Sequence, residues 1–369
     1  MPKRYVRYAV VGLGHIAQVA VLPAFGNARR NSRLAALVSA DPVKRQELSA
    51  RYGVPLTYSY EQYDECLKSG AIDAVYIALP NHLHCEYAVR AAQAGVHVLC
   101  EKPLAVTEDE CLRMAQAARE AQVRLMTAYR LHFERANLEA LEVARSGRIG
   151  EPRLFSSDFT MHVVPGNIRV KRGTGGGVLY DIGIYCINAA RSLFGDEPQE
   201  VLACTAGALD EVEESASCVL RFPGDRIASF TCSFGAAKVS AYRLVGSKGD
   251  LLVDPAYEYA VALKHRLTID GEIHERRFAK RDQFAPELLY FSDCVLQNRE
   301  PEPGGDEGLA DVRVIRALYR SAESGRPVEL GRFPPSGTRR ERPSLEQEIR
   351  RPPIDKPDVI RAQAPSGSS

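Results

Sequence analysis

The first 130 residues alternate short apolar runs with longer amphipathic stretches, and this alternation restricts topology more than any other feature of the chain. Tyr8-Ala9-Val10-Val11, Leu34-Ala35-Ala36-Leu37-Val38, Ala74-Val75-Tyr76-Ile77-Ala78, Val96-His97-Val98-Leu99-Cys100 and Val123-Arg124-Leu125-Met126-Thr127 read as strands. Helical patterns from about Glu61 to Ser69, Cys85 to Ala94 and Thr107 to Ala121 separate the later ones. Strands alternating with helices in this way predict parallel βαβ units and an α/β fold with a doubly wound sheet. In such a sheet ligands bind just beyond the carboxyl ends of the strands. The residues that follow each apolar run are therefore the candidates for function.

After the first run comes Gly12-Leu13-Gly14-His15-Ile16-Ala17, a G-x-G-x-x-A pattern that opens a helix toward Phe25. The first glycine permits a tight turn, the second lets backbone approach a pyrophosphate, and the third small residue lets helix pack on strand. The helix N-terminus adds amides and a positive dipole for the phosphates. The bland alternative, a structural glycine turn, is disfavoured by the position between strand and helix. After the second run stands Ser39, where an NAD enzyme usually carries an acid for the ribose 2′-hydroxyl. A small hydroxyl leaves room for a 2′-phosphate, which Lys44 or Arg45 can neutralise, so NADP is the expected cofactor and NAD the alternative. Asp41 complicates this: it could be the ribose acid, but before Pro42 it is better placed as a helix N-cap.

The third run ends in Leu79-Pro80-Asn81-His82-Leu83-His84. Asn81 and His84 there can bond the nicotinamide ribose, unless His84 is merely a helix-start residue. The fourth ends in Cys100-Glu101-Lys102-Pro103-Leu104. A lysine fixed there by proline can hold charge against cofactor and substrate; Glu101 and Lys102 read equally as a solvated loop. Tyr129-Arg130 closes the fifth.

Beyond residue 130 the pattern changes. A helix is expected from Phe133 to Ser146, then a β-rich half from near Arg153, with short alternating segments from Glu200 to Phe278 that imply a mostly antiparallel sheet. Helices over about Ala285–Gln297 and Gly308–Ser324 would close this second domain. Within it, Gly175-Gly176-Gly177 precedes Asp181-Ile182-Gly183-Ile184-Tyr185, whose acid and phenol share one face if the segment is helical. They make an acid/base pair if that face looks into a cleft; otherwise Tyr185 is a core tyrosine. Past Gly331 the chain is rich in Pro, Arg, Glu and Ser, so residues 332–369 are expected to be disordered, with docking on a partner subunit as the alternative.

Of the 369 residues 45% are hydrophobic and 26% charged, with a net charge of +1, which suits a globular protein of two domains and gives no footprint for nucleic acid or an anionic membrane. No apolar run approaches the roughly 20 residues of a membrane span. The strand pattern begins with no secretory h-region before it, and nine dispersed cysteines without a C-x-x-C spacing fit reduced thiols, so a cytoplasmic location is expected. The eight histidines show no ligand spacing, and no metal is expected.

Taken in order, G-x-G-x-x-A at 12–17, Pro80-Asn81-x-x-His84, Glu101-Lys102-Pro103, Tyr129-Arg130, Gly175-Gly176-Gly177 and Asp181-x-x-x-Tyr185 resemble the glucose–fructose oxidoreductase/inositol dehydrogenase (Gfo/Idh/MocA) family, over about residues 5–330. The resemblance implies a Rossmann domain over 1–130 and, over 131–331, an α+β substrate domain whose open sheet mediates assembly into a homodimer or homotetramer. It implies cofactor contacts from Gly12, Leu13, Gly14, His15, Ile16, Ser39, Lys44, Leu79, Asn81, His84, Glu101, Lys102 and Arg130. Lys102 and Tyr185 would flank the sugar carbon that exchanges hydride, with Asp181 beside them, and the peptide before Pro103 is commonly cis in such proteins. Arg169, in Asn167-Ile168-Arg169, stands where the family branch that this chain looks most like carries a Trp-Arg pair, and is the further substrate candidate. Relatives acting on inositols usually carry His in place of Tyr185, which favours an aldose. The implied activity moves hydride between C1 of an aldose and NADP, giving a lactone. Alternatives are transfer from one sugar to another through tightly held NADP and, remotely, a non-catalytic NADP sensor.

Overall fold

Six strands form a wholly parallel sheet in the computed structural model, which describes residues 5–333, 351–354 and 358–366. They are β1 (Val6–Val11), β2 (Ser32–Val38), β3 (Leu56–Tyr58), β4 (Ala74–Ile77), β5 (His97–Glu101) and β6 (Leu125–Ala128). Their order, β3-β2-β1-β4-β5-β6, is that of a dinucleotide-binding fold, with the reversal between β1 and β4. The central strands are apolar on both faces because helices cover both; every residue of β4 is buried. The short β3 has no fully buried residue, and no apolar signal marks it in the sequence.

Local chemistry fixes the helix ends that frame the sheet's carboxyl edge. Asp41 caps the helix Pro42–Tyr52, accepting from the Val43 and Lys44 N–H groups, with Pro42 in the first turn and Gly53 closing it in the left-handed conformation. Thr107 and Glu110 form a capping box for Glu108–Glu120.

The second sheet has nine strands: β7 (Pro152–Thr160), β8 (Glu200–Ala206), β9 (Ser215–Phe222), β10 (Arg226–Ser233), β11 (Val239–Gly246), β12 (Gly249–Val253), β13 (Leu263–Ile269), β14 (Glu272–Phe278) and β15 (Val328–Glu329). The order is β14-β13-β12-β11-β7-β10-β9-β8-β15, antiparallel except where β7 lies parallel to β10. Asp270-Gly271, both at positive φ, turn β13 into β14 as a two-residue hairpin loop demands. Strict alternation in β9 puts Cys218, Leu220 and Phe222 on the buried face and Val219 and Arg221 outside.

The chain divides into two compact units, and the division departs from the expected one. The first changeover, between Phe133 and Glu134, lies near the expected boundary at 130, but residues 281–309 return to the first unit. Their helix, Phe284–Leu296, was expected to close the second domain; instead it packs on the parallel sheet, against β1 and β2. Ser292 there shares hydrogen bonds with the Tyr8 and Ser32 hydroxyls at 2.7 and 2.8 Å, and the Leu289 carbonyl accepts from the Asn31 side chain. Apolar periodicity reveals that a helix must be covered, not which sheet covers it. The described residues beyond 350 also belong to the first unit. Most of the intervening tail lies outside the described residues.

Candidate active site

In the first unit, the residues expected to hold a dinucleotide gather along the carboxyl edge of the parallel sheet. Gly12 follows β1 at φ +93°, where a Cβ would stand 2.5 Å from the Ala78 carbonyl oxygen, so only glycine fits. Gly14 is different. A Cβ there would meet nothing within 4 Å, at an ordinary φ, so neither packing nor backbone within the chain demands a glycine. A pyrophosphate approaching that backbone supplies the reason, and the residues present therefore fit a dinucleotide. Leu13 is buried, His15 and Ile16 are half-buried, and the helix begins as a wide π-turn, Ala17–Val21, with all five residues buried.

One strand along, buried Ser39 accepts from the Asp41 N–H through its hydroxyl at 3.2 Å, and its carbonyl accepts from Arg45. Lys44 stands in the first turn of the next helix, its ammonium shifted down mainly by burial, against the opposing pull of Asp41. Leu79 is buried beside the Gly12 turn, and Asn81 opens a single turn, Asn81–Leu83, half-buried beyond β4.

β5 ends in half-buried Glu101 and Lys102, with a cis peptide to Pro103. Beneath them lies a network of buried polar groups. The Tyr76 hydroxyl donates to Glu101 at 2.8 Å and stands 3.3 Å from Glu287, a fully buried acid whose second oxygen has no hydrogen-bond partner. Burial, and then the charge of Glu101, push the Glu287 carboxyl well above the usual range; burial also raises Glu101, against the opposing charge of Lys102. Buried Arg130 donates to Gln283 at 2.5 Å, so it braces this floor from behind rather than standing open to a ligand.

His84 needs a correction. It was expected on the nicotinamide ribose, but it is wholly buried, with one ring nitrogen 2.9 Å from the Leu79 carbonyl and the other 2.9 Å from that of Pro103. Burial lowers its pKa. It ties the exit of β4 to the loop carrying Lys102, and its ring has no nitrogen left for a cofactor. Glu287 is what sequence reasoning missed. Its signal was a single acid inside the apolar stretch Phe284-Ala285-Pro286-Glu287-Leu288-Leu289-Tyr290-Phe291.

In the second unit, Gly176 lets the chain fold back on Arg169, whose carbonyl oxygen lies 2.4 Å from where a Cβ would be. The Arg169 guanidinium pairs with Asp181 at 2.8 Å, each partly exposed. Asp181 lies on a π-turn, Leu179–Gly183, and Tyr185 in the first turn of the α-helix that continues from it, Ile184–Phe194. The single α-helical face expected for the two residues is thus a wide turn running into a regular one. The Tyr185 ring is wedged edge-on against Phe159 at 5.6 Å and against Tyr257 at 6.0 Å, yet the residue remains half-exposed. Within its own unit Asp181 has a cation in Arg169.

Among the described residues no group of His, Cys, Asp or Glu could hold a metal ion, and no helix is long and apolar enough to cross a membrane.

A glycine turn shaped for a pyrophosphate, on a sheet of this order, defines the first unit as the cofactor domain of a nicotinamide-dependent oxidoreductase. The chain belongs to the Gfo/Idh/MocA oxidoreductases: the family's NAD-binding Rossmann model matches residues 6–129 and a C-terminal domain model of the family matches residues 137–252. It is 32% identical to a D-xylose 1-dehydrogenase [NADP(+)] of Haloarcula marismortui, over 88% of this chain and 93% of that one. The crystal structure of aldose–aldose oxidoreductase from Caulobacter crescentus, complexed with glycerol, superposes with a TM-score of 0.85 at 39% identity, covering 89% of this chain and all of that one. A 3-ketoreductase from Actinomadura kijaniata, solved with TDP-benzene and NADP, gives 0.79 at 27% identity over 86% of this chain and 98% of that one.

Proposed function

We propose that the protein is an NADP-dependent sugar oxidoreductase that oxidises an aldose at C1 to the lactone. One observation carries this reading. Lys102 leaves β5 on the same sheet edge as the Gly12–Gly14 turn and Ser39, which supports a part for its cation at the cofactor rather than in a solvated loop. The likeness to a xylose 1-dehydrogenase and an aldose–aldose oxidoreductase supports the substrate class.

Bound NADP would supply the acceptor for the hydride that leaves C1. Ser39 and Lys44 would hold its 2′-phosphate, and the Gly14 backbone its pyrophosphate. Tyr185 takes the proton of the anomeric hydroxyl as the C1–H bond breaks. A free phenol, with a pKa of about 10, is a poor base near neutrality. Lys102 is the cation proposed to steady the charge that develops as this proton leaves. Asp181, steadied by Arg169, orients the sugar hydroxyls. Tyr185→Phe is expected to cut turnover roughly 10²–10⁴-fold with NADP affinity nearly intact; near-wild-type turnover would remove Tyr185 from the role. The first test is the reduced-nicotinamide absorbance of protein purified without added cofactor, followed as aldoses are added.

The similarity to an aldose–aldose oxidoreductase favours a second reading, in which NADP stays bound and passes hydride from one sugar to another. A reduced band that appears stoichiometrically with one sugar and bleaches with a second supports it. Continuous turnover only when NADP is supplied supports the simple dehydrogenase.

The open face of the nine-stranded sheet supports self-association as a dimer or tetramer. Leu154 lies beside Ile227 across β7 and β10, and Leu202 beside Val219 across β8 and β9; each is at least 41% exposed. Apolar pairs of this kind on one sheet face suit an interface. Ile227→Lys is expected to lower the sedimentation-derived mass; an unchanged mass would exclude this face.

A further inference from the structure

Residues 358–361 of the tail lie beside the loop that follows β2 and the turn that follows β1. Gln18, wholly buried one residue after the G-x-G-x-x-A turn, holds Ile360 by both backbone groups: its amide donates to the Ile360 carbonyl at 2.9 Å and its oxygen accepts the Ile360 N–H at 2.8 Å. The same amide donates to the Leu13 carbonyl at 2.9 Å, so the tail is anchored to the phosphate turn itself. Arg51 donates to the Asp358 carbonyl at 2.8 Å. Arg361 follows at φ +47°, an uncommon conformation for a residue other than glycine, and its guanidinium lies 3.6 Å from the Asp41 carboxylate.

That pair bears on cofactor choice. Asp41 sits two residues past Ser39, and an unbalanced carboxylate there would repel a 2′-phosphate and favour a ribose diol. Desolvation pushes its carboxyl up, but the Lys44 and Val43 N–H donors and the charges of Arg361 and Lys44 outweigh this and hold it below its ordinary value. It is therefore ionised at neutral pH, and Arg361 offsets the charge that Lys44 alone would have to balance.

We propose that the C-terminal segment 358–366 is part of the cofactor site, with Arg361 as a specificity-determining cation for the 2′-phosphate of NADP, positioned by Gln18. This rests on the NADP reading above. The segment makes the acid-bearing loop after β2 selective for phosphate. Its side chain is exposed, as a group that exchanges one anion for another must be.

The test is equilibrium binding of NADP and of NAD, by calorimetry, to the full chain, to Arg361→Ala, to Arg361→Lys and to a chain lacking residues 358–369. Arg361→Ala is expected to weaken NADP roughly tenfold and leave NAD unchanged, as loss of a charged phosphate contact should. Lysine should restore part of the loss, and the shortened chain should reproduce it. Equal changes for the two nucleotides, or none, overturn the proposal. Tighter binding by the shortened chain also overturns it, because the segment would then obstruct the site. A wild-type chain with no preference for NADP would instead bring down the reading of Ser39 and Lys44, a failure distinct from a wild-type preference that Arg361→Ala leaves intact.

Discussion

Two buried carboxyl clusters, one in each unit, solve the same problem in opposite ways. In the second unit Asp311, wholly buried, accepts from Arg191 at 2.5 Å and from Asn188 at 2.8 Å, and the same guanidinium takes Glu197 at 2.6 and 2.7 Å. In the first unit Glu287 is as deeply buried, yet one of its oxygens has only a long contact, 3.3 Å, from the Tyr76 hydroxyl, which Glu101 shares, and the other has no partner. The first arrangement satisfies its charges and holds the fold. The second leaves an acid without compensation beneath the strand that delivers Lys102, and a carboxyl so placed remains protonated far above its usual range. Unsettled polar groups beneath a ligand-binding edge are the commoner mark of a working site.

This contrast can be broken in order of effect. Lys102→Ala is expected to lower turnover by roughly 10²–10⁴-fold, the weight of a group acting in the transition state, without moving the unfolding midpoint. Retained turnover in steady-state assays would deny β5 its place in the chemistry. Asp311→Ala should do the reverse. Removing Asp311 leaves one Arg191 nitrogen and the Asn188 amide as buried donors without their acceptor, while Glu197 still pairs with the guanidinium, and costs roughly 1–3 kcal/mol of stability, read by denaturant unfolding, while NADP affinity of the folded fraction holds. Glu287→Gln gives a smaller change with a definite sign. The folded-state pKa is raised, so the native wild type binds the extra proton and loses stability as pH climbs above the ordinary carboxylate value. The amide cannot ionise, so the variant should gain on the wild type as pH rises. Parallel stability profiles for the two would mean that Glu287 is not held protonated. Arg169→Ala should be smallest, raising the sugar KM a fewfold because Asp181 loses a partly exposed partner of about 1 kcal/mol or less.

The parallel sheet and its edge were legible because each strand announces itself locally, by an apolar run and the residue that ends it. Gly12, Ser39 and Lys102 could be placed by strand ends alone. His84 could not: whether a histidine at a helix start faces a ligand or two carbonyls depends on the depth of a loop twenty residues on. Glu287 and the helix around it escaped for a related reason, since burying an acid beneath β5 is a long-range event that periodicity does not record. Composition does not report the described stretch of the tail that is held: polar, proline-rich sequence buries little, but two backbone bonds from Ile360 to buried Gln18 fix that point.

The helix around Ser292 also governs the order in which the molecule can be completed. Tyr8 and Ser32, synthesised among the first tenth of the residues, wait for a hydroxyl nearly three hundred positions later. A nascent chain that has passed residue 133 has all six strands of its parallel sheet but not the helix that packs on β1 and β2. The cofactor domain therefore matures after eight strands of the second sheet, through β14, have been translated, and a chain halted at residue 280 should be cut by protease near Tyr8 when the finished protein is not.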